Sequence, residues 1–151
     1  MKLAEALVLR GDLMKRLEQV KGRVLRNAKV QEGDEPAESP QDLLAEYDRL
    51  ASELRRLIAS INRTNSATSF AKGTLTDALA ERDVLRLRQA AYRDLAEEAT
   101  VVQMIGTRTE VRFRPTVQVS DIQRKADDLA QDLRKLDSRI QEANWLTSLL
   151  D

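Results

Sequence analysis

The chain has 151 residues, with 25 Lys and Arg balanced by 25 Asp and Glu, no His, no Cys and only 3% aromatics. This length fits one domain with a real core, and abundant charge with few aromatic, Gly and Pro residues is a helix composition. The missing Cys excludes disulfides, thiol catalysis and thiolate metal sites; the missing His excludes imidazole bases and His-ligated metals; the zero net charge argues against a dedicated nucleic-acid binder.

A first helix is predicted over about 2–30. Leu3, Leu7, Met14, Leu17, Val24 and Ala28 form its stripe, widened by Ala6, Leu13 and Val20. Glu5, Arg10 and Asp12 break the apolar start too early for a signal peptide, and no apolar run is long enough to cross a membrane, so a cytoplasmic protein is expected. The second helix, about 40–62, opens on Ser39 as N-cap with Pro40 in the first turn. Its seam of Leu43, Tyr47, Leu50, Leu54, Leu57 and Ile61 alternates steps of four and three, the spacing of a helix packed along a partner.

Residues 62–73 are polar and small and read as a loop. Thr74 and Asp77 then open a third helix, about 75–99. Between it and the fourth helix the period changes from helical to two. Thr109, Val111 and Phe113 alternate with Arg108, Glu110, Arg112 and Arg114, which predicts a strand or hairpin within an extended segment at about 100–118. The fourth helix, about 121–148, starts at Ser120 with Gln123 completing a capping box. Its seam runs Ile122, Ala126, Leu129, Leu133, Leu136, Ile140, Ala143, Thr147 and Leu150. The expected architecture is mainly α, a single domain over 1–151. It is an antiparallel bundle of four long helices with a short β-strand or hairpin between helices three and four.

Two cations sit where apolar residues belong. Arg10 lies among Leu3, Met14 and Leu17, and Arg82 among Leu75, Ala78, Leu79 and Leu85. A buried guanidinium needs a carboxylate. In an up-down bundle the two arginines share a level, and Asp137 is the acid on a suitable face. With Asn65 and Asn144, which fall on seam faces of helices two and four, they make a predicted buried polar layer, structural or ligand-binding. Snorkelling of both arginines to solvent is the plain alternative.

Helix three also carries a second apolar stripe, Ala80, Val84, Leu87, Ala91 and Leu95, opposite its main face. A helix apolar on two sides needs partners on both. Val84, Leu87, Ala91 and Leu95, with Arg108, Arg112 and Arg114 on the strand, are therefore interface candidates. The acidic loop of Glu32, Asp34, Glu35 and Glu38 is a complement to the arginine row, within or between subunits.

Enzyme templates fare poorly. No phosphate loop, dinucleotide fingerprint or Ser–His pair is present. Asp128 with Asp132, and Glu46 with Glu53, have helical spacings that could serve Mg²⁺, but such spacings are commonplace on solvated helices. No metal or other cofactor is expected.

Several stretches carry a family likeness: Leu3-x-x-Ala6-Leu7-x-x-Arg10, Asn27-Ala28-x-Val30-Gln31-Glu32-Gly33, Ile61-Asn62-x-Thr64-Asn65, Thr74-Leu75-Thr76-Asp77-Ala78-x-x-x-Arg82-Asp83 and Leu136-Asp137-x-x-Ile140-Gln141-x-x-Asn144-Trp145. Together they resemble the septicolysin-like family, common in actinobacteria. The resemblance implies an uncharacterised protein whose family name suggests a cytolytic, pore-forming activity, and it carries over no catalytic residue. The leading reading is a non-enzymatic helical protein that associates with copies of itself and binds no nucleic acid. The alternatives are a membrane-active cytolysin-like protein, for which the basic first helix offers weak support, and a small-molecule or Mg²⁺-dependent enzyme using the inter-helix polar cluster.

Overall fold

A computed structural model describes residues 1–101 and 112–151. The order is α1 (Leu3–Arg26), α2 (Pro40–Ala67), β1 (Ser69–Phe70), β2 (Gly73–Thr74), α3 (Leu75–Ala99) and α4 (Val119–Leu146). Among the described residues the protein is mainly helical, with four long helices. A two-stranded antiparallel hairpin lies between helices two and three. Ser69 pairs with Thr74 and Phe70 with Gly73, antiparallel, around a turn at Ala71 and Lys72. Of the strand expected at 108–114, residues 108–111 lie outside the described residues, and 112–114 form no regular element.

Local chemistry sets the helix ends. The Lys2 amide at the start of α1 donates to Glu5 Oε2 at 2.6 Å. The helix stops at Arg26, short of the expected 30, because Asn27 Nδ2 takes the Arg23 carbonyl at 2.9 Å and closes the last turn. Ser39 Oγ accepts from the Asp42 amide at 3.4 Å with Pro40 in the first turn, as the sequence predicts. Helix α2 runs on to Ala67, through residues expected as loop. Along this extension the threonines bond back to the helix: Thr64 Oγ1 donates to the Ser60 carbonyl at 2.8 Å and Thr68 Oγ1 to the Thr64 carbonyl at 2.7 Å. The polar side chains thus bond to the helix instead of competing with it.

The described residues form two compact units. The first comprises Met1–Leu75 and Glu142–Asp151. In it α1 packs on α2 in antiparallel fashion: the end of α1 meets the approach to α2 through Arg23 and Glu38. Helix α1 buries Leu3, Ala6, Leu13, Leu17 and Val20, and α2 buries Leu43, Leu50, Leu57 and Ile61. The buried α1 stripe is shifted toward Ala6, Leu13 and Val20, since Met14 is exposed, and Ala28 lies beyond the end of the helix. Tyr47 and Leu54 of the α2 seam are half-buried.

The second unit, Thr76–Gln141, holds most of α3 and α4. Arg82, early in α3, meets Asp137, late in α4, so these helices also run antiparallel. Ala78, Ala96, Ala126, Leu129, Leu136 and Ile140 are buried. No helix among the described residues is long and apolar enough to cross a membrane.

Candidate functional site

Helix α3 is built from a sequence with apolar residues on two sides. Within the second unit its fully buried positions are Ala78 and Ala96, with Leu79, Arg82 and Leu85 half-buried beside them. On the opposite side Ala80, Val84, Leu87, Ala91 and Leu95 succeed each other at helical spacing, and all are exposed. Val84 is 54%, Leu87 72% and Leu95 41% accessible. The stripe leads into an open recess of about 410 Å³ at the end of the helix, lined by Leu95, Ala99, Val101, Phe113 and Pro115 among others. Arg112 and Arg114 are exposed on either side of Phe113, whose ring is itself largely open to solvent. Arg108 lies outside the described residues.

The predicted polar layer is only partly assembled. Arg82 Nη1 lies 3.6 Å from Asp137 Oδ1, and Arg82 Nε lies 3.6 Å from Asp83 Oδ1. These separations are ion-pair contacts too long for hydrogen bonds. Arg82 Nε and Asp137 Oδ1 are both shut away from solvent, and neither has a hydrogen-bond partner. Arg10 is not part of a buried layer. It is exposed, although it stands in line with the buried Ala6 and Leu13; a long aliphatic stem lets a guanidinium at such a position reach water. Asn144 is buried and Asn65 half-buried, both in the first unit.

The acidic loop has a nearer partner than the arginine row. Glu38 is held bidentately by Arg23: Nε donates to Oε2 at 3.0 Å, and Nη2 donates to Oε1. The Glu38 amide in turn donates to Asn27 Oδ1 at 3.1 Å, so the loop is clipped back onto the end of α1. The hydrogen bonds from Arg23, with its charge and that of Arg26, hold the Glu38 carboxyl below its ordinary pKa. Sequence reasoning missed this pair. The signal was present in Arg23 and Asn27, which share the last turn of α1 four residues apart and both face the returning loop.

Asp128 and Asp132 are exposed, and Glu53 lies 3.8 Å from Arg49. Among the described residues no three acidic side chains are grouped to hold a metal ion.

The model of a family of unknown function, DUF6847, matches residues 10–149. The chain belongs to that family. It is also similar to a solved protein described as a functionally unknown conserved protein from Corynebacterium diphtheriae, with 42% identity over 99% of each chain and a TM-score of 0.94. No curated protein matches. These findings overturn the septicolysin-like resemblance, and the cytolytic activity implied by that name goes with it. The apolar part of those motifs, Leu, Ala and Ile at helical spacing, is a pattern that any antiparallel helix pair requires, so it does not single out one family.

Proposed function

We propose that the protein is a non-enzymatic helical protein that associates with a second copy of itself through the outer face of α3. The exposed stripe from Ala80 to Leu95 carries this reading. A run of apolar side chains on one helix face marks a binding surface more often than chance exposure does. The stripe is also self-complementary. In a two-fold antiparallel pairing centred near Leu87, Ala80 stands opposite Leu95 of the second copy, and Val84 opposite Ala91. Leu87 meets its own counterpart at the axis. Small thus faces large at the levels flanking the central Leu87 pair, which is how packed helices interdigitate. The recess by Val101 and Phe113 continues the apolar surface beyond the helix.

Native mass spectrometry of the intact chain is the test. The expected wild-type mass at micromolar concentration is a multiple of the 17.1 kDa subunit. Val84→Glu combined with Leu95→Glu should return single subunits with unchanged helicity. A wild-type mass of one subunit that does not vary with concentration refutes the reading.

A further inference from the structure

The first unit closes in an unusual way. After α4 ends at Leu146, the chain continues extended across the start of α1 and the end of α2. The Leu3 amide donates to the Thr147 carbonyl at 3.0 Å, and the Leu149 amide donates to the Met1 carbonyl at 3.0 Å. Lys2 and Ser148 form the antiparallel bridge between these two bonds. The Leu150 amide donates to Thr64 Oγ1 at 2.9 Å. Lys2 Nζ donates to the Leu146 carbonyl at 2.9 Å, and Arg63 Nε to the Asp151 carbonyl at 3.1 Å. All of these bonds use the main chain of residues 146–151.

None of the side chains of residues 147–151 is fully buried. Ser148, Leu150 and Asp151 are exposed and Thr147 and Leu149 only half-buried. The groups near its attachment points are different: Leu3 is fully buried, Ile61 nearly so, and Thr64 is a fully buried polar residue. The Thr64 hydroxyl is used twice, donating to the Ser60 carbonyl and accepting from Leu150. An element held mainly by main-chain hydrogen bonds, with no fully buried side chain of its own, sits toward the low end of local stability, whereas the floor beneath it belongs to the core.

We infer that residues 147–151 form a detachable strap, latched by the Thr64 hydroxyl. Its release opens the end of the first unit without unfolding the α1–α2 pair. Opening frees the Leu3 amide, the Met1 carbonyl and the Thr64 hydroxyl together. These groups are one main-chain donor, one main-chain acceptor and one side-chain hydroxyl, next to the buried Leu3 and Ile61.

Amide hydrogen exchange on the full chain, read residue by residue, tests this. In the wild type the Leu3, Leu149 and Leu150 amides should exchange at one common opening rate, at least tenfold faster than the Leu57 amide in α2. Thr64→Val removes the latch with little change of volume, and should speed all three strap amides by about tenfold, the loss of one hydrogen bond. Leu57 should be unaffected, and Thr64→Ser should restore the wild-type rates. Strap amides that exchange no faster than Leu57 in the wild type would overturn the proposal. So would a Thr64→Val protein in which Leu150 alone speeds up, or in which Leu57 speeds up equally.

Discussion

The Arg82–Asp137 contact allows a quantitative test of how the second unit is held together. Removing the acid, Asp137→Ala, takes away the charge 3.6 Å from Arg82 Nη1 and leaves a guanidinium whose Nε is already shut off from water without a partner. Exposed ion pairs contribute about 0–1 kcal/mol, and breaking a fully buried one costs about 3–5 kcal/mol. The Arg82 side chain is 20% exposed and Asp137 39%, so this pair falls between. Asp83, also 3.6 Å away, keeps part of the compensation. The expected loss for Asp137→Ala is about 1–2 kcal/mol. The double replacement Arg82→Met with Asp137→Leu removes both unsatisfied atoms and restores apolar contact, so its stability should lie within about 1 kcal/mol of wild type. Urea unfolding followed by circular dichroism of wild type, Arg82→Met, Asp137→Leu and the double variant, with equal m-values across the four proteins, gives the cycle. If the double variant loses the sum of the two single losses, to within about 0.5 kcal/mol, the residues are uncoupled and the reasoning fails. Arg10→Ala is the control: an exposed residue in the same chain should change stability by less than about 0.5 kcal/mol.

Two further outcomes follow from local geometry. Glu38 has its pKa lowered by the Arg23 hydrogen bonds, so its contribution is fully present above the unfolded value near 4.5 and is lost as pH falls through the lower folded value. The difference in unfolding midpoint between wild type and Glu38→Gln should therefore be constant from neutral pH to about pH 5 and shrink in more acidic buffer; a difference that grows on acidification would contradict the assignment. Ala71 has φ of 50° in the hairpin turn, a left-handed conformation that favours glycine. Ala71→Gly should raise stability by up to about 1 kcal/mol in thermal unfolding, after the added freedom of the unfolded chain is set against the relieved strain, and a clear loss would show that the turn is not strained there.

The helices were legible because their seams repeat. Leu43, Leu50, Leu57 and Ile61 recur at the spacing of a helix face, and they are the apolar residues α2 buries. The hairpin was not legible for reasons of scale and chemistry. Strands of two residues are too short to show alternation, and the turn residue with positive φ is an alanine, where sequence rules look for Gly or Asn. The extension of α2 was hidden because Thr64 and Thr68 change role when their hydroxyls bond back along the helix. Of the two misplaced cations, Arg82 was readable because a carboxylate stands on the facing helix. Arg10 was not, since a wheel records where a Cα points and not how far a guanidinium travels from it.

The distribution of side-chain size on α3 bears on the proposed association. Burying a leucine in place of an alanine removes more apolar area from water and stabilises a fold by roughly 25 cal/mol per Å² gained. A helix serving only its own unit should therefore point its larger apolar side chains inward. Within the second unit α3 instead has Ala78 and Ala96 as its fully buried positions, and it leaves Val84, Leu87 and Leu95 in solvent. Two of those three could exchange places with alanines at no cost in helix propensity. The arrangement sacrifices burial within the subunit and gains nothing as long as the subunit stays alone. It becomes favourable when a second helix covers the outer face, since the exposed Leu and Val then contribute their area and the buried Ala permits α3 a close inner approach. Exchanging the sizes, Ala78→Leu together with Leu87→Ala, should weaken association in native mass spectrometry more than Ala78→Leu alone. Equal effects of the single and double variants would mean that Leu87 takes no part in the contact.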